Sequence, residues 1–219
     1  DYGLNFFPWS PTSTYPGPRA LAYGNTITSV QNTATDNGTN EGAIWIGGQD
    51  AFVAANTIDG TGWDGVETFG NALRPRVIGN TIRNTGIGIY LEHQTYDGVF
   101  RGNTISGIGT GINVEWWYSG QGSKRNTFES NTITGANYGI FIDVGADGDT
   151  IRNNVIHDSN LTAVQLQGSG SIAISGNDLR DTRATPRQDY AVRESVGRWD
   201  DNSLATPNAN SVTGNDCRG

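Results

Sequence analysis

A five-residue motif with alternating apolar positions recurs along the whole chain. Its clearest copy is Gly111-Ile112-Asn113-Val114-Glu115. The second and fourth positions of the copies are mostly aliphatic, while the third and fifth vary freely, which is the period of a β-strand with one buried face. The copies therefore predict a series of similar short strands, which begin at Gly3, Ala43, Gly65, Gly88, Gly111, Gly139, Ala163 and Ala191.

A second motif, Gly-Asn-Thr-Ile and its variants, keeps the same period. Its asparagines are Asn25, Asn56, Asn80, Asn103, Asn131, Asn154, Asn177 and Asn202, and an apolar residue precedes each by three positions, ending with Trp199. In the middle of the chain the asparagines are 23 to 28 residues apart, a period that suits one turn of a solenoid. Three short strands per turn predict an all-β parallel β-helix of about eight coils, with three parallel sheets and an inward asparagine ladder.

Together the Gly-Ile-x-Val-x and Gly-Asn-Thr-Ile motifs resemble the right-handed parallel β-helix repeat family. This family includes pectate-lyase-like enzymes, alginate-modifying enzymes, carbohydrate-binding proteins and sugar hydrolases. The resemblance runs from Gly3 to about Leu204 and implies a right-handed, single-stranded parallel β-helix that acts on a polysaccharide. Because the chain has no local signature of the polygalacturonase or alginate epimerase branches, the resemblance assigns no catalytic residue.

Charge and composition limit the classes of partner that the protein is expected to bind. The formal net charge is −8, and no cluster of Lys and Arg follows a phosphate backbone, which argues against nucleic acid. No apolar run reaches the roughly 20 residues that span a bilayer. We expect residues 1–206 to form the β-helix, starting inside a coil whose open end is covered by a missing domain, a cap or another chain. Residues 207–219 are predicted to form an irregular polar tail or lid, and the location is expected to be secreted or cell surface.

The fifth motif position predicts an outward column of Glu92, Glu115, Asp143 and Gln167. Neighbours in such a column are about 4.8 Å apart at the backbone, where two carboxylates repel by roughly 3 kcal/mol at an effective dielectric near 20. The acids must therefore splay into solvent, share a proton, or bind a cation. Sharing a proton would make Glu92, Glu115 and Asp143 catalytic acids and bases with His93 as an auxiliary base, and the third alternative would make the same three carboxylates a Ca²⁺ site.

Aromatic and amide side chains accompany these acids, as is typical of surfaces that bind sugar rings. The predicted substrate-binding residues are Trp45, Glu67, Tyr90, Asn113, Trp116, Trp117, Tyr118, Phe141 and Gln167. The basic residues Arg76, Arg101, Lys124 and Arg125 either pair with a uronate carboxylate or serve as surface counter-charges. The leading hypothesis is an extracellular polysaccharide hydrolase or lyase. The alternative is a noncatalytic carbohydrate-binding, adhesin or structural module of a larger protein.

Overall fold

The computed structural model describes residues 4–6, 19–29, 42–116 and 122–218. These residues form β-strands and no helix, and they wind into a solenoid with three main sheets whose strands are all parallel. The predicted parallel β-helix is therefore confirmed. Within the same residues, no helix is long and apolar enough to cross a membrane.

The three sheets run the length of the solenoid, with strands numbered in chain order. Sheet one contains β1 Leu4–Phe6, β4 Gly42–Ile46, β7 Asp64–Thr68, β11 Ile87–Leu91, β15 Thr110–Val114, β18 Tyr138–Ile142, β21 Thr162–Gln167 and β23 Tyr190–Ser195. Sheet two contains β2 Leu21–Tyr23, β5 Phe52–Ala54, β9 Arg76–Ile78, β13 Val99–Arg101, β16 Thr127–Glu129, β19 Thr150–Arg152, β22 Ala173–Ser175 and β26 Ser211–Thr213. Sheet three contains β3 Thr26–Thr28, β6 Thr57–Asp59, β10 Thr81–Arg83, β14 Thr104–Ser106, β17 Thr132–Thr134 and β20 Val155–His157.

Two small strand pairs complete the fold. Strands β8 Ala72–Leu73 and β12 Thr95–Tyr96 pair in parallel at the corner after sheet one, and β24 Gly197–Arg198 and β25 Leu204–Ala205 form an antiparallel hairpin. Six turns contribute a strand to each main sheet. The last two of the eight coils that the sequence predicts have single bridges on the third side instead, so the number of complete turns is lower than expected.

The glycine that opens the strand motif is required by close packing between sheets. A Cβ atom at Gly88 would lie 2.5 Å from the Ile105 side chain and 2.5 Å from the carbonyl oxygen of Gly111. The same clash recurs at Gly65, Gly111 and Gly139. Real Cβ atoms do not approach other atoms so closely, so a small residue at this position lets the apolar stack of sheet three reach sheet one. That stack belongs to a core whose isoleucines are fully buried.

The predicted asparagine ladder is present inside the solenoid. Each side-chain amide donates to the side-chain oxygen of the asparagine in the next turn, at 2.8 to 3.0 Å. The residue before each of these asparagines has a positive φ, for example 62° at Gly79 and 63° at Gly102, a region that glycine adopts without strain. The Gly-Asn pair in the motif is thus a turn requirement coupled to a buried hydrogen-bond chain.

The end of the ladder corrects the sequence interpretation. Asn177 donates to Asn215, 2.8 Å away, and not to the predicted Asn202. Residues 197–205 instead form the β24–β25 hairpin, which is inserted into the last turn. Strand β26 then pairs with β22, so much of the segment predicted to be an irregular tail contributes to sheet two. The polar composition concealed this strand, while the insertion carried a chance copy of the motif.

Candidate functional site

The outward face of sheet one carries the predicted acidic column, in the expected register. Strand pairing aligns Glu67 with Tyr90 and then Asn113. One position further on, the backbone hydrogen bonds from Glu92 to Thr68 and from Glu115 to Leu91 continue the alignment. We call Asp64, Glu67, Glu92, Glu115 and Asp143 the acid cluster.

The inner part of the acid cluster is fully buried. Asp64 is 0% exposed and Glu67 is 1% exposed, although both are on the outer side of the sheet. A side chain at Gly42 in the preceding turn would contact both of them. Among the described residues, no N–H or hydroxyl donor reaches any of their four carboxyl oxygens. These oxygens are therefore left with one another and with Glu92 as neighbours.

Carboxyl groups in contact with one another must hold protons, because an ionised carboxylate has nothing to donate. Burial, followed by the charges of Glu92 and Glu115, raises the pKa of Asp64 to about 8. Burial and the carboxyl contacts with Glu92 and Asp64 also raise the pKa of Glu67 strongly. At neutral pH this inner pair thus retains protons behind the outer acids.

Glu92 connects the inner pair to the more accessible part of the column. Its side chain is 8% exposed. Burial raises the pKa of Glu92, and the charge of Glu115 raises it further. Contact with Glu67 lowers the pKa and so opposes both effects. Glu92 is therefore a carboxyl with a raised pKa next to a second carboxyl in the adjacent turn.

Glu115 is oriented by a buried phenol. The hydroxyl of Tyr90 donates a hydrogen bond to Oε2 of Glu115. Tyr90 is 2% exposed, and its pKa is raised by burial and then by the charges of Glu115 and Glu92, so it remains a donor. Glu115 itself is only half-buried and lies at the end of β15.

Asp143 and His93 lie beside this pair. Burial raises the pKa of Asp143 to about 6, with the charge of Glu115 contributing, while the backbone N–H of Val144 opposes the shift by donating to Oδ1 at 2.7 Å. His93 Nε2 is 3.8 Å from Glu92 Oε1. Burial lowers the pKa of His93, so its imidazole is neutral near pH 7 and carries no positive charge to the acids.

Aromatic side chains lie on both sides of the acids. On one side, Phe69 makes edge-to-face contacts with Trp45, at a centroid distance of 5.4 Å, and with His93, at 4.6 Å. On the other side, Trp116 contacts Trp199 edge to face at 5.1 Å. Glu92 and Glu115 thus have an aromatic group on either side.

The β24–β25 hairpin supplies Trp199. Its turn is closed by the hydrogen bond from the Trp199 backbone N–H to the Ser203 carbonyl, at 3.0 Å. A side chain at Gly145 would collide with the Trp199 ring, so this glycine makes room for the indole. An element from the last turn therefore packs against the end of β15.

The remaining predicted substrate-binding residues divide into three groups. Asn113, Phe141 and Gln167 lie on the same outward face and are half-buried, and the Phe141 ring packs against Tyr138 at 5.2 Å. Glu67 and Tyr90 belong to the site but lie beneath its surface. Trp117 and Tyr118 lie outside the described residues.

The Ca²⁺ alternative gains no support from this geometry. Among the described residues, no group of three or more His, Cys, Asp or Glu side chains could hold a metal ion. This finding includes Glu92, Glu115 and Asp143. The carboxyls in contact are those of Asp64, Glu67 and Glu92, and proton sharing among Glu92, Glu115 and Asp143 stays a prediction.

Sequence reasoning did not identify two residues of the site. Asp64 precedes the motif glycine, at a position where the neighbouring turns have Gly42 and Ile87. An acid at a position that is apolar or glycine in the adjacent turns was a usable signal. The sequence places Trp199 in the second repeat motif, because it precedes Asn202 by three residues. Only the folded hairpin shows its true place.

Comparison with known proteins supports the fold and is silent on activity. A family model described as "Right handed beta helix region" matches residues 19–147 and 117–195, and a search of curated proteins found no match. Among solved structures, the chain is similar to the enzymatically active domain of tailspike protein 2 from bacteriophage CBA120, with 9% identity and a TM-score of 0.44. The match covers 74% of this chain and 32% of that one. Since the family model spans most of the chain, the protein belongs to the right-handed β-helix family.

Proposed function

We propose that the protein is a secreted or cell-surface enzyme that hydrolyses glycosidic bonds in a polysaccharide. One arrangement carries this proposal: burial raises the pKa of Glu92, Glu115 lies in the adjacent turn, and Tyr90 donates a hydrogen bond to Glu115. A carboxylic acid with a raised pKa beside a second carboxyl is the equipment of glycoside hydrolysis.

The two carboxyls take complementary roles. Glu92 donates its proton to the oxygen of the leaving sugar, while a Glu115 carboxylate oxygen bonds to the anomeric carbon as the glycosidic bond breaks. The Glu92 carboxylate then takes a proton from water, whose oxygen displaces Glu115 and restores both groups. Adjacent strands are about 4.8 Å apart, close to the roughly 5 to 5.5 Å separation of a retaining mechanism.

Other residues of the site support this chemistry. The Asp64 and Glu67 pair lies behind Glu92 and brings no cation to it, so burial and the charge of Glu115 raise the pKa of Glu92 although contact with Glu67 opposes the shift. Trp116 and Trp199 on one side and Phe69 on the other offer apolar ring faces for stacking of sugar units. Asn113 and Gln167 extend the face with amides that bind hydroxyls.

The test is depolymerisation by the wild-type chain and by three variants. A panel of polysaccharides is incubated with each protein, and new reducing ends are counted. Glu92→Gln and Glu115→Gln should lower turnover by at least about 100-fold, with retained anomeric configuration in the wild-type product. Glu194→Gln, a matched change of an exposed acid in β23 of the same sheet, should leave turnover unchanged.

Burial of the inner acids favours a second candidate, a noncatalytic carbohydrate-binding module. Asp64 and Glu67 cannot contact a glycan directly, so in this candidate the aromatic side chains alone form the binding surface. It predicts glycan binding without new reducing ends, and binding that Glu115→Gln leaves intact. Turnover that disappears in Glu92→Gln contradicts it.

A further inference from the structure

The distribution of positive charge over the molecule bears on which glycan fits the site. The chain has 14 Lys and Arg residues, and all of them fall within the described residues. Their placement is therefore known even where loop segments are not described. They are Arg19, Arg74, Arg76, Arg83, Arg101, Lys124, Arg125, Arg152, Arg180, Arg183, Arg187, Arg193, Arg198 and Arg218.

Most of these cations are paired with acids away from the acid cluster. Glu129 of sheet two binds both Arg101 and Arg152, with Arg152 at 2.6 Å and Arg101 at 3.6 Å. Arg125 binds Asp97 at 2.7 Å. The remaining pairs are Arg19 and Arg74 with Asp50, Arg83 with Asp59, Arg180 with Asp178 and Asp216, Arg183 with Asp181, and Arg218 with Asp216.

The five other cations lie outside the strands that carry the acid cluster. Arg76 belongs to sheet two, and Lys124 bridges Tyr96 and Asp147 in the corner ladder after sheet one. Arg193 lies over the Tyr190 ring in the last turn, and Arg198 binds the Asn202 carbonyl within the hairpin. Arg187 lies in the loop held by Asp181. Strands β4 to β21 of sheet one contain no Lys or Arg.

The electrostatics of the acid cluster agree with this placement. The charges that act on Asp64, Glu67, Tyr90, Glu92 and Asp143 all come from other carboxyls, and no cation is among them. Arg101 and Arg125, which the sequence offered as partners for a uronate, are engaged elsewhere. A carboxylate or sulfate on a bound sugar would therefore meet the charge of Glu115 without a counter-charge, which weakens its binding.

We propose that the substrate of this face is a glycan whose sugar units carry no carboxylate or sulfate. The inference rests on the proposed function and specifies its substrate class. Hydroxyl groups of such sugars donate to the accessible Glu115 and Asp143 oxygens, and the ring faces stack on the aromatic side chains. The same reasoning chooses hydrolysis over elimination, because elimination begins beside a uronate carboxylate whose charge the enzyme must neutralise.

The test uses one polymer in three chemical forms. A neutral polysaccharide that the protein binds or cleaves is selected from a panel. Part of its primary hydroxyls are oxidised to carboxylates, and a portion of the oxidised polymer is converted to the methyl ester, which is uncharged again. Affinity for the oxidised form should fall at least tenfold at low salt and recover at 0.5 M salt, where charges are screened. The methyl ester controls for the added carbonyl and should bind like the parent.

A substitution that adds a cation to this face provides a second test of the inference. Gln167→Lys places a cation on the acidic face and should raise affinity for the oxidised polymer several-fold, while Thr132→Lys on sheet three should not. Preference of the wild type for the oxidised polymer, or for acidic polysaccharides across the panel, overturns the inference and leaves the proposed function standing. Failure to bind or cleave any member of the panel overturns the proposed function, and the inference with it.

Discussion

Two stacks of polar side chains run through this molecule, and they differ in how their buried polar atoms find hydrogen-bond partners. Inside, each asparagine of the ladder both donates and accepts, so the stack from Asn25 to Asn215 satisfies itself turn by turn. On the outer face of sheet one, the carboxyls of Asp64 and Glu67, which can only accept when ionised, have no donor among the described residues. The first arrangement holds the fold together, and the second opposes it unless protons are bound.

Asp149 combines features of both stacks, because it is an acid within an inner ladder. Asp149 is fully buried in a short inner ladder, where its Oδ1 accepts from the backbone N–H of Asn126 at 2.7 Å. Its Oδ2 has no partner among the described residues. An amide at this position could donate where the carboxylate cannot. The comparison thus teaches that an acid in a stack marks either a functional requirement or a site where the fold is suboptimal.

The largest expected effect comes from breaking the inner ladder. Asn103→Ala would remove the acceptor of the Asn80 backbone and side-chain N–H groups, and the donor to Val77 and Asn131. Each buried group left without a partner costs about 1 to 3 kcal/mol, so we expect a loss of about 4 to 6 kcal/mol in the free energy of unfolding. Urea denaturation measures it, with the exposed neighbour Thr104→Ala as the control. A loss below about 1 kcal/mol would contradict the ladder's role.

The next effect is a loss of stability as pH rises through the neutral range. The folded-state pKa values of Asp64, Asp149 and Asp143 are raised by burial to about 8, 7 and 6, against 3.8 for an ordinary Asp. The folded chain therefore binds protons that the unfolded chain has released. Stability should be highest near pH 4.5 and fall as pH rises to 8, because each of these carboxyls loses its proton in turn.

Urea midpoints between pH 4.5 and 8.5 test this dependence. His93 acts in the opposite direction, since its pKa is lowered in the folded state. Its contribution to stability therefore increases with pH and reduces the net loss of stability in the acidic part of the range. The double variant Asp64→Asn and Asp149→Asn should flatten the curve. A stability that rises steadily from pH 5 to 8 would show that the buried carboxyls are not protonated.

Asp149→Asn alone should stabilise the protein. The amide removes the proton requirement and provides the missing donor, so we expect a gain of about 2 to 3 kcal/mol at pH 8 and little change at pH 4.5. Asp147→Asn, an exposed neighbour in the same turn, serves as the control and should change stability by less than about 0.5 kcal/mol. Equal gains at both pH values would contradict the carboxylate explanation.

The smallest effect concerns the aromatic pair Trp116 and Trp199. Trp199→Ala should lower affinity for the bound polysaccharide by roughly tenfold, about 1.4 kcal/mol, because Trp116 loses the ring that packs against it. Trp63→Ala, an exposed tryptophan elsewhere, should leave affinity unchanged. Unaltered binding in Trp199→Ala would remove the hairpin from the site.

Most of the fold was predictable because each turn repeats the same steric rules. The motif glycine, the left-handed residue before each asparagine and the aliphatic alternation all reflect contacts between adjacent turns, so they recur at a fixed period. Asn202 is the exception, because it fits the motif although Asn215 is the residue that continues the asparagine ladder. A nine-residue hairpin changes the spacing, and a local sequence pattern cannot distinguish an inserted hairpin from a solenoid turn.

The site was predictable only in part. The column of Glu92, Glu115 and Asp143 followed from the register of the strands. The burial of Glu67 and Tyr90 did not, because the third motif position was expected to be open to solvent and depends on what covers the sheet. The packing of Trp199 against Trp116 joins residues from turns that are not adjacent, and a repeat pattern contains no information about such contacts.

The central claim is that the pKa of Glu92 is raised beside Glu115, so that Glu92 is the proton donor of the site. The most direct measurement is a carbon-13 NMR titration of the Glu92 carboxyl in the wild type and in Glu115→Gln. The account predicts a wild-type pKa well above the ordinary value of 4.5 and a lower one in the variant, because the charge of Glu115 contributes to the shift. A Glu92 carboxyl that titrates at or below 4.5 in both proteins would contradict the claim.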